Sequence, residues 1–127
     1  MQSPNLLEAF RLAFSGLWHT LRTQRNMRIH LAIAGAAVAM GLWLKLPTDQ
    51  WATLAVTSGL VLISEMINTV VEQLVDLVRP DFHPLAKTVK DVMAGVVLLA
   101  AIIAVIVGLL ILGPPLRSRI VRNLVGR

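Results

Sequence analysis

The chain has 127 residues, 56% of them hydrophobic, and a mean hydropathy of +0.72. This hydropathy exceeds what a soluble protein of this size tolerates and indicates a single-domain membrane protein, residues 1–127. The net charge of +5 does not indicate nucleic-acid binding, because the basic residues flank apolar segments and are not interleaved with aromatic ones. The absence of cysteine excludes disulfides, thiolate metal sites and a cysteine nucleophile.

Residues 4–22 carry apolar side chains at helical spacing, including Leu6, Phe10 and Leu17, while Glu8 and Arg11 occupy other positions. The pattern predicts an amphipathic helix in the membrane interface, with a helix that merely packs on the bundle as the alternative. Residues 2–16 do not have the pattern of a cleavable signal peptide, so we expect the membrane helices themselves to insert the chain.

The first predicted membrane helix covers residues 29–46, where the stretch Leu31 to Leu44 has no charge, and we expect Pro47 to end it. Small residues along this helix would let neighbouring helices approach closely: Ala32, Gly35, Ala36, Ala39 and Gly41.

The second predicted membrane helix covers residues 50–78, with Thr48 or Asp49 as its cap and Arg79-Pro80 as its end. The third covers residues 84–112, because Pro84 suits a first turn and Gly113-Pro114-Pro115 should end the helix. Residues 113–127 are then a basic tail. This topology places the N-terminal region and the turn at 79–90 on one side, where the excess of basic residues indicates the cytoplasm.

The second membrane helix contains four polar residues that lie on one stripe. At about 100° per residue, Glu65, Asn68, Glu72 and Asp76 fall within an arc of about 80°. Ionisable residues at membrane depth indicate function. Spacing alone leaves three interpretations open: a catalytic cluster, a proton or ion pathway, and a structural polar network.

The catalytic interpretation would divide the work between two carboxylates. Glu65 and Glu72 lie about 10 Å apart along the helix axis, so they would flank a substrate and not chelate one ion side by side. One would act as a general base, while the other would hold a divalent cation on nucleotide phosphates. Lys90 and Asp91 would face this cluster across the short turn. The chain has no P-loop and no G-x-G-x-x-G motif, so side chains would have to hold the nucleotide.

Two motifs carry a resemblance to a known family. Residues 65–72 read E-x-x-N-T-x-x-E, and residues 83–91 read H-P-x-A-K-x-x-K-D. Together with Arg25 to His30, they resemble the bacterial diacylglycerol kinase and undecaprenol kinase family, over roughly residues 6–113. The resemblance implies an all-α membrane protein with a surface helix and three transmembrane helices. It also implies a homotrimer whose active sites are shared between subunits.

The resemblance implies roles for individual residues. Glu65 would be the general base, and Glu72 would bind the catalytic Mg²⁺. The remaining polar residues would bind ATP: Asn68, Asp76, Asp81, His83, Lys90 and Asp91. Gly16 and Trp18 on the surface helix would contact the lipid.

One position departs from the family pattern, because Gln24 stands where the family usually has a second metal-binding Glu. An amide offers one oxygen without the charge, so we expect weaker Mg²⁺ binding.

The implied reaction is transfer of the γ-phosphoryl group of ATP to the hydroxyl of a membrane lipid at the bacterial inner membrane, on the cytoplasmic side. The H-P-x-A-K turn looks more like the undecaprenol kinases, so undecaprenol is the predicted acceptor and diacylglycerol the alternative. A small non-enzymatic transporter subunit and a degenerate kinase homologue are the rival hypotheses.

Overall fold

The computed structural model describes residues 5–126 and shows four α-helices there, with no strand in that range. They are α1 (Leu6–Thr23), α2 (Arg25–Leu44), α3 (Thr48–Val78) and α4 (Pro84–Val125). The last three are long and apolar enough to cross a membrane. The predicted all-α fold with one preceding helix and three membrane helices is therefore confirmed. Pro4 and Arg127, included in the predicted surface helix and tail, lie outside the described residues.

Helix α1 begins with a side-chain cap that the sequence analysis did not identify. The Asn5 side chain accepts a hydrogen bond of 2.9 Å from the Glu8 backbone N–H, which satisfies one of the free donors of the first turn. Gln24 has an extended backbone and separates α1 from α2. The Arg28 guanidinium donates to the Arg22 carbonyl at 2.9 Å and so covers the C-terminal end of α1.

Helix α2 ends three residues before Pro47, so the expectation that Pro47 ends it is wrong. Lys45 adopts a left-handed conformation with φ of 56°. Its N–H donates to the Leu42 carbonyl and the Leu46 N–H to the Gly41 carbonyl, both at 3.2 Å. This pair of bonds is a Schellman motif, which closes the helix before the proline is reached.

The predicted cap of α3 is also wrong. Pro47 occupies the N-cap position, and no side chain makes a capping hydrogen bond there. Thr48 and Asp49 are instead the first residues of the helix, and the Asp49 carboxylate is placed to interact favourably with the helix dipole.

Gly41 of α2 packs directly against the Trp51 side chain of α3, a close contact of the kind that the small-residue pattern predicted. A Cβ at this position would lie 2.7 Å from the Trp51 ring and 3.0 Å from the Leu46 side chain. Gly35, by contrast, has no atom within 4 Å of such a Cβ. The small size of Gly41 is therefore required by a contact within the chain, whereas that of Gly35 is not.

We expect Gly41→Ala to lower the thermal unfolding midpoint in detergent. Overpacking against Trp51 costs about 1–3 kcal/mol, which exceeds the gain of up to about 1 kcal/mol from replacing a helical glycine. Gly35→Ala is the matched control on the same helix, and its midpoint should stay the same or rise. Equal midpoints for the two variants would contradict the assignment of Gly41 as a close-packing position.

Helix α4 does not end at Gly113 but continues to Val125, so the predicted basic tail is helical within the described range. Pro114 and Pro115 lie inside the helix and remove two N–H donors from it. A tertiary contact holds the segment that follows. The Arg119 guanidinium donates to the Trp43 carbonyl and lies 4.5 Å from the centre of the Trp43 ring.

The burial pattern is that of a membrane protein. Within the described residues the buried apolar side chains are only Met27, Leu46, Leu54, Val61 and Val97, while most Leu, Ile and Val side chains of the spans are exposed. The most buried large side chain is that of Glu65. The helices therefore enclose polar groups and present apolar ones outward, as a lipid environment requires.

Candidate active site

The polar residues of α3 become more exposed to solvent from Glu65 towards Asp76. Glu65, Asn68 and Thr69 are 2%, 7% and 3% exposed, Glu72 is half-buried, and Asp76 is exposed. Asn68 donates from Nδ2 to Glu72 Oε1 at 3.2 Å. Two buried oxygens, Glu65 Oε2 and Asn68 Oδ1, have no hydrogen-bond partner among the described residues. Unpaired buried oxygens are costly, and they indicate a ligand or a functional use.

His30 of α2 faces this cluster, which the sequence analysis missed. Its Nε2 lies 3.9 Å from Glu65 Oε2, whereas the sequence analysis placed His30 only in the basic stretch before the first membrane helix. We call Glu65, Asn68, Glu72 and His30 the inner cluster. His30 also borders an apolar cavity of about 490 Å³ between α2, α3 and α4. The Glu65 carboxylate is thus close to a space that an apolar chain could occupy.

Antiparallel packing brings Gln24 to the level of Glu72. The contacts of Gly41 with Trp51 and of His30 with Glu65 show that α2 and α3 run in opposite directions. Gln24 precedes His30 by about 9 Å along the axis, and Glu72 follows Glu65 by about 10 Å in the same direction in space. Within residues 5–126 no hydrogen bond joins Gln24 to Glu72, although the two residues share a level.

A second group of polar residues surrounds the turn between α3 and α4. A pocket of about 300 Å³ there, which we call the turn pocket, contains five of the predicted site residues: Asp76, Asp81, His83, Lys90 and Asp91. Lys90 forms an ion pair with Asp76 across the two helices, and Lys87 forms one with Asp91 along α4. The prediction that Lys90 and Asp91 face the stripe across the short turn agrees with this geometry.

The turn pocket has further basic groups that were not predicted as site residues. Arg79 and Lys87 line it together with Lys90. Arg79 was interpreted as a helix end and Lys87 as part of a motif, and both were counted among the basic residues of the cytoplasmic side. The three cations are matched in number by the carboxylates of Asp76, Asp81 and Asp91 in the same pocket. His83 has a structural task as well, because its Nδ1 accepts a hydrogen bond of 3.2 Å from the Leu85 N–H and caps α4.

The inner cluster has the donor set of a magnesium site, although it is sparse. No group of three or more His, Cys, Asp or Glu residues that could hold a metal occurs in the described part of the chain. Mg²⁺ nevertheless uses one or two carboxylates and takes its other oxygens from water and phosphates. The Glu72 carboxylate and the unpartnered Asn68 Oδ1 are hard oxygen donors of this kind. The residues present therefore fit a Mg²⁺ that is shared with a nucleotide.

The two residues predicted to contact lipid differ in their surroundings. Trp18 lines an open cavity between α1 and α2, together with Arg22 and Arg28. Gly16 is exposed, and a Cβ added to it would meet no atom within 4 Å. An indole beside two guanidinium groups suits the boundary between lipid tails and headgroups, whereas Gly16 contributes only an open surface.

Three apolar membrane helices, a buried carboxylate and a pocket of three cations and three carboxylates at the turn between α3 and α4 define a membrane protein with a charged site. Comparison with known proteins identifies the class more closely. A sequence model described as prokaryotic diacylglycerol kinase matches residues 11–112. The chain is 49% identical over 120 residues to a protein of Synechocystis named diacylglycerol kinase, a match that covers 94% of this chain and 69% of that protein.

Of two relatives with lower identity, one is named undecaprenol kinase and the other diacylglycerol kinase. A Bacillus subtilis protein named undecaprenol kinase is 39% identical over 109 residues, covering 86% of this chain and 89% of the relative. An Escherichia coli protein named diacylglycerol kinase is 34% identical over 70 residues, covering 55% of this chain and 57% of the relative. The chain belongs to the prokaryotic diacylglycerol kinase family of membrane lipid kinases, as its motifs predicted. Membership of this family of enzymes disfavours the transporter hypothesis.

Proposed function

We propose that this protein transfers the γ-phosphoryl group of ATP to the hydroxyl group of a membrane lipid. The observation that carries the proposal is the pairing of a buried carboxylate, Glu65, with a pocket at the adjacent turn that is lined by three cations and three carboxylates. The first group suits a proton acceptor inside the membrane region. The second suits the polyphosphate of a nucleotide at the membrane surface.

In the proposed reaction the lipid hydroxyl lies against Glu65, which accepts its proton. The hydroxyl oxygen forms a bond to the γ-phosphorus as the bond from that phosphorus to the β–γ bridging oxygen breaks, so ADP leaves. Arg79, Lys87 and Lys90 balance the charge of the phosphates, and Asn68, Asp76, Asp81, His83 and Asp91 complete the nucleotide site. His30, 3.9 Å from Glu65, positions the carboxylate.

Magnesium belongs to the same proposal. Glu72 would hold the ion, with Asn68 Oδ1 beside it and Gln24 at the same level of the neighbouring helix. When bound, Mg²⁺ would supply neutralisation of the charge on the β- and γ-phosphates. Positioning and electrostatic stabilisation then account for most of the catalysis in phosphoryl transfer.

We expect Gln24→Glu to lower the Mg²⁺ concentration needed for half-maximal activity by about 10-fold or more, the order of effect that ligand-shell changes have on metal affinity. The variant restores a negative charge at the level of Glu72. Titration of activity with MgCl₂ at saturating ATP measures the effect. Thr23→Glu makes the same one-unit change in charge one residue away and should leave the Mg²⁺ dependence unchanged. An unchanged Mg²⁺ dependence in Gln24→Glu would contradict the assignment of residue 24.

The acceptor is the finer part of the proposal. The His83-Pro84 turn favours undecaprenol, which would give undecaprenyl phosphate. The 49% identity to a protein named diacylglycerol kinase is a specific observation in favour of diacylglycerol, which would give phosphatidic acid. The apolar cavity beside His30 is open enough to receive either type of chain, so a direct comparison of the two lipids has to decide.

We also propose the orientation and the assembly. The proposed orientation has the site on the cytoplasmic side of the bacterial inner membrane. It is supported by seven basic residues in the N-terminal region and the turn at 79–90: Arg11, Arg22, Arg25, Arg28, Arg79, Lys87 and Lys90. The exposed apolar faces of the helices leave room for a homotrimer with shared sites. Mixing Glu65→Gln and Lys90→Met subunits tests sharing, because activity should return only if one site draws on two subunits.

The test of the function itself is transfer of labelled phosphate from ATP to undecaprenol and to diacylglycerol in detergent micelles with Mg²⁺. A labelled lipid that is absent with Glu65→Gln establishes the kinase, and the preferred lipid gives the acceptor. A folded protein that labels neither lipid would overturn the proposal. Nucleotide binding without transfer would then identify a degenerate homologue. The reason to consider one is that Gln24 replaces a metal-binding Glu usual in the family.

A further inference from the structure

The end of the molecule opposite the candidate site carries a cluster of basic residues that the kinase reaction does not use. They are Lys45 at the end of α2 and three arginines of α4, Arg117, Arg119 and Arg122. We call these four residues the basic collar. The three arginines follow the part of the chain that matches the family model, which ends at residue 112.

The collar lies at the depth of lipid headgroups. Arg119 contacts Trp43, which fixes its level at the end of α2. Along α4, Arg119 lies about 43 Å from Lys90 in the turn pocket, at 1.5 Å per residue. A bilayer with its headgroup regions is about 40–45 Å thick. When the turn pocket is at one membrane surface, Arg119 is therefore at the headgroups of the other.

The charges of the collar are not neutralised within the chain. None of its four residues forms a salt bridge in the described range. The only carboxylate of residues 5–126 at this end is that of Asp49, and the chain has no Asp or Glu after Asp91. Arg119 uses one of its five N–H donors for the Trp43 carbonyl, which leaves others for a second acceptor. An excess of cations at headgroup depth is complementary to phosphate.

We propose that the basic collar binds the headgroups of anionic phospholipids at the membrane surface opposite the candidate active site. Binding would hold the helical segment 113–125 at the headgroup level, where Pro114 and Pro115 weaken the backbone hydrogen bonding of α4. The inference does not depend on the kinase reaction. It also accounts for basic residues on the side where the positive-inside tendency does not place them.

The test uses the full chain with Trp18→Phe and Trp51→Phe, so that Trp43 is the remaining tryptophan. The protein is reconstituted in phosphatidylcholine vesicles that contain a small fraction of brominated phosphatidylglycerol or brominated phosphatidylcholine. Bromine atoms on the acyl chain quench a tryptophan that they contact. We expect phosphatidylglycerol to occupy the Trp43 site at least about 25-fold more strongly than phosphatidylcholine, since Arg117 and Arg122 each contribute about fivefold near an anionic surface.

Three variants separate the collar from other sources of preference. Arg117→Gln with Arg122→Gln leaves the Arg119–Trp43 contact intact and should lower the preference by about 25-fold, whereas Asn123→Arg should increase it. Arg11→Gln with Arg25→Gln removes the same charge at the other end and should leave the preference unchanged. Equal quenching by the two lipids, an unchanged preference in the double collar variant, or an equal loss in the control would each overturn the proposal. Equal quenching would leave an acidic protein as the partner.

Discussion

Glu65→Gln should reduce phosphate transfer to lipid by about 100- to 10,000-fold, the range that a positioned general base contributes. Glutamine keeps the shape of the side chain but cannot accept the hydroxyl proton. Burial strengthens the argument, because Glu65 is 2% exposed and its Oε2 has no hydrogen-bond partner among the described residues. A carboxylate retained at such a position needs a reason other than packing.

The unfolding temperature of Glu65→Gln distinguishes a catalytic role of Glu65 from a structural one. A buried carboxylate is expensive, so the neutral variant should unfold at the same temperature as the parent or a higher one. Asp49→Asn makes the same chemical change on the same helix, about 24 Å away, and should retain full activity. Activity and unfolding temperature are measured on the same preparations. A Glu65→Gln protein that keeps more than about a tenth of the activity would rule out the proposed base.

The parts of the site that were predictable are those formed by residues close in sequence. The stripe on α3 follows from helical periodicity, and the Asn68–Glu72 hydrogen bond joins residues one turn apart. The turn pocket is equally local, because a short turn between two helices must bring Asp76 and Lys90 together. Local geometry therefore gave both carboxylates and the cation that faces them.

The parts that were not predictable depend on how distant segments meet. No pattern in α2 indicates that His30 faces Glu65, because the register of two packed helices is set by contacts such as that of Gly41 with Trp51. The prediction that α4 ends at Gly113 was wrong for a related reason. The proline rule describes an isolated helix, whereas here Arg119 fastens the segment after the prolines to Trp43, 76 residues away.

The end of α2 shows a third kind of error. The helix was predicted to end in the correct short region, but the residue held responsible for the end was the wrong one. Proline at 47 was the visible signal, but Lys45 takes the left-handed conformation that glycine usually adopts. A lysine gives no sign of this in the sequence. Leu46, which is buried, supplies the driving force by folding back beside Gly41.

Lys90→Met should lower kcat/KM for ATP by about 100- to 1,000-fold, the effect of removing one group that stabilises the charge of a transferring phosphoryl group. Lys90 lines the turn pocket, and its ammonium group reaches Asp76 on α3. Both partners are partly exposed, at 35% and 64% of their side-chain surface. An exposed ion pair contributes about 0–1 kcal/mol to stability, so the unfolding temperature should change little.

A charge exchange separates the phosphate role of Lys90 from its ion pair. Asp76→Lys combined with Lys90→Asp rebuilds the pair in reverse order and moves the ammonium group from α4 to α3. Because Asp76 is itself a proposed nucleotide residue, Asp76→Asn alone gives the loss due to that residue. If Lys90 serves only to join the helices, the exchanged protein should be as active as Asp76→Asn. If it balances phosphate charge in the turn pocket, the exchange should be as inactive as Lys90→Met, with a raised KM for ATP, because a carboxylate at position 90 repels the phosphates. Recovery of activity in the exchanged protein would therefore assign Lys90 to structure and leave the phosphates to Arg79 and Lys87, the other two cations of the pocket.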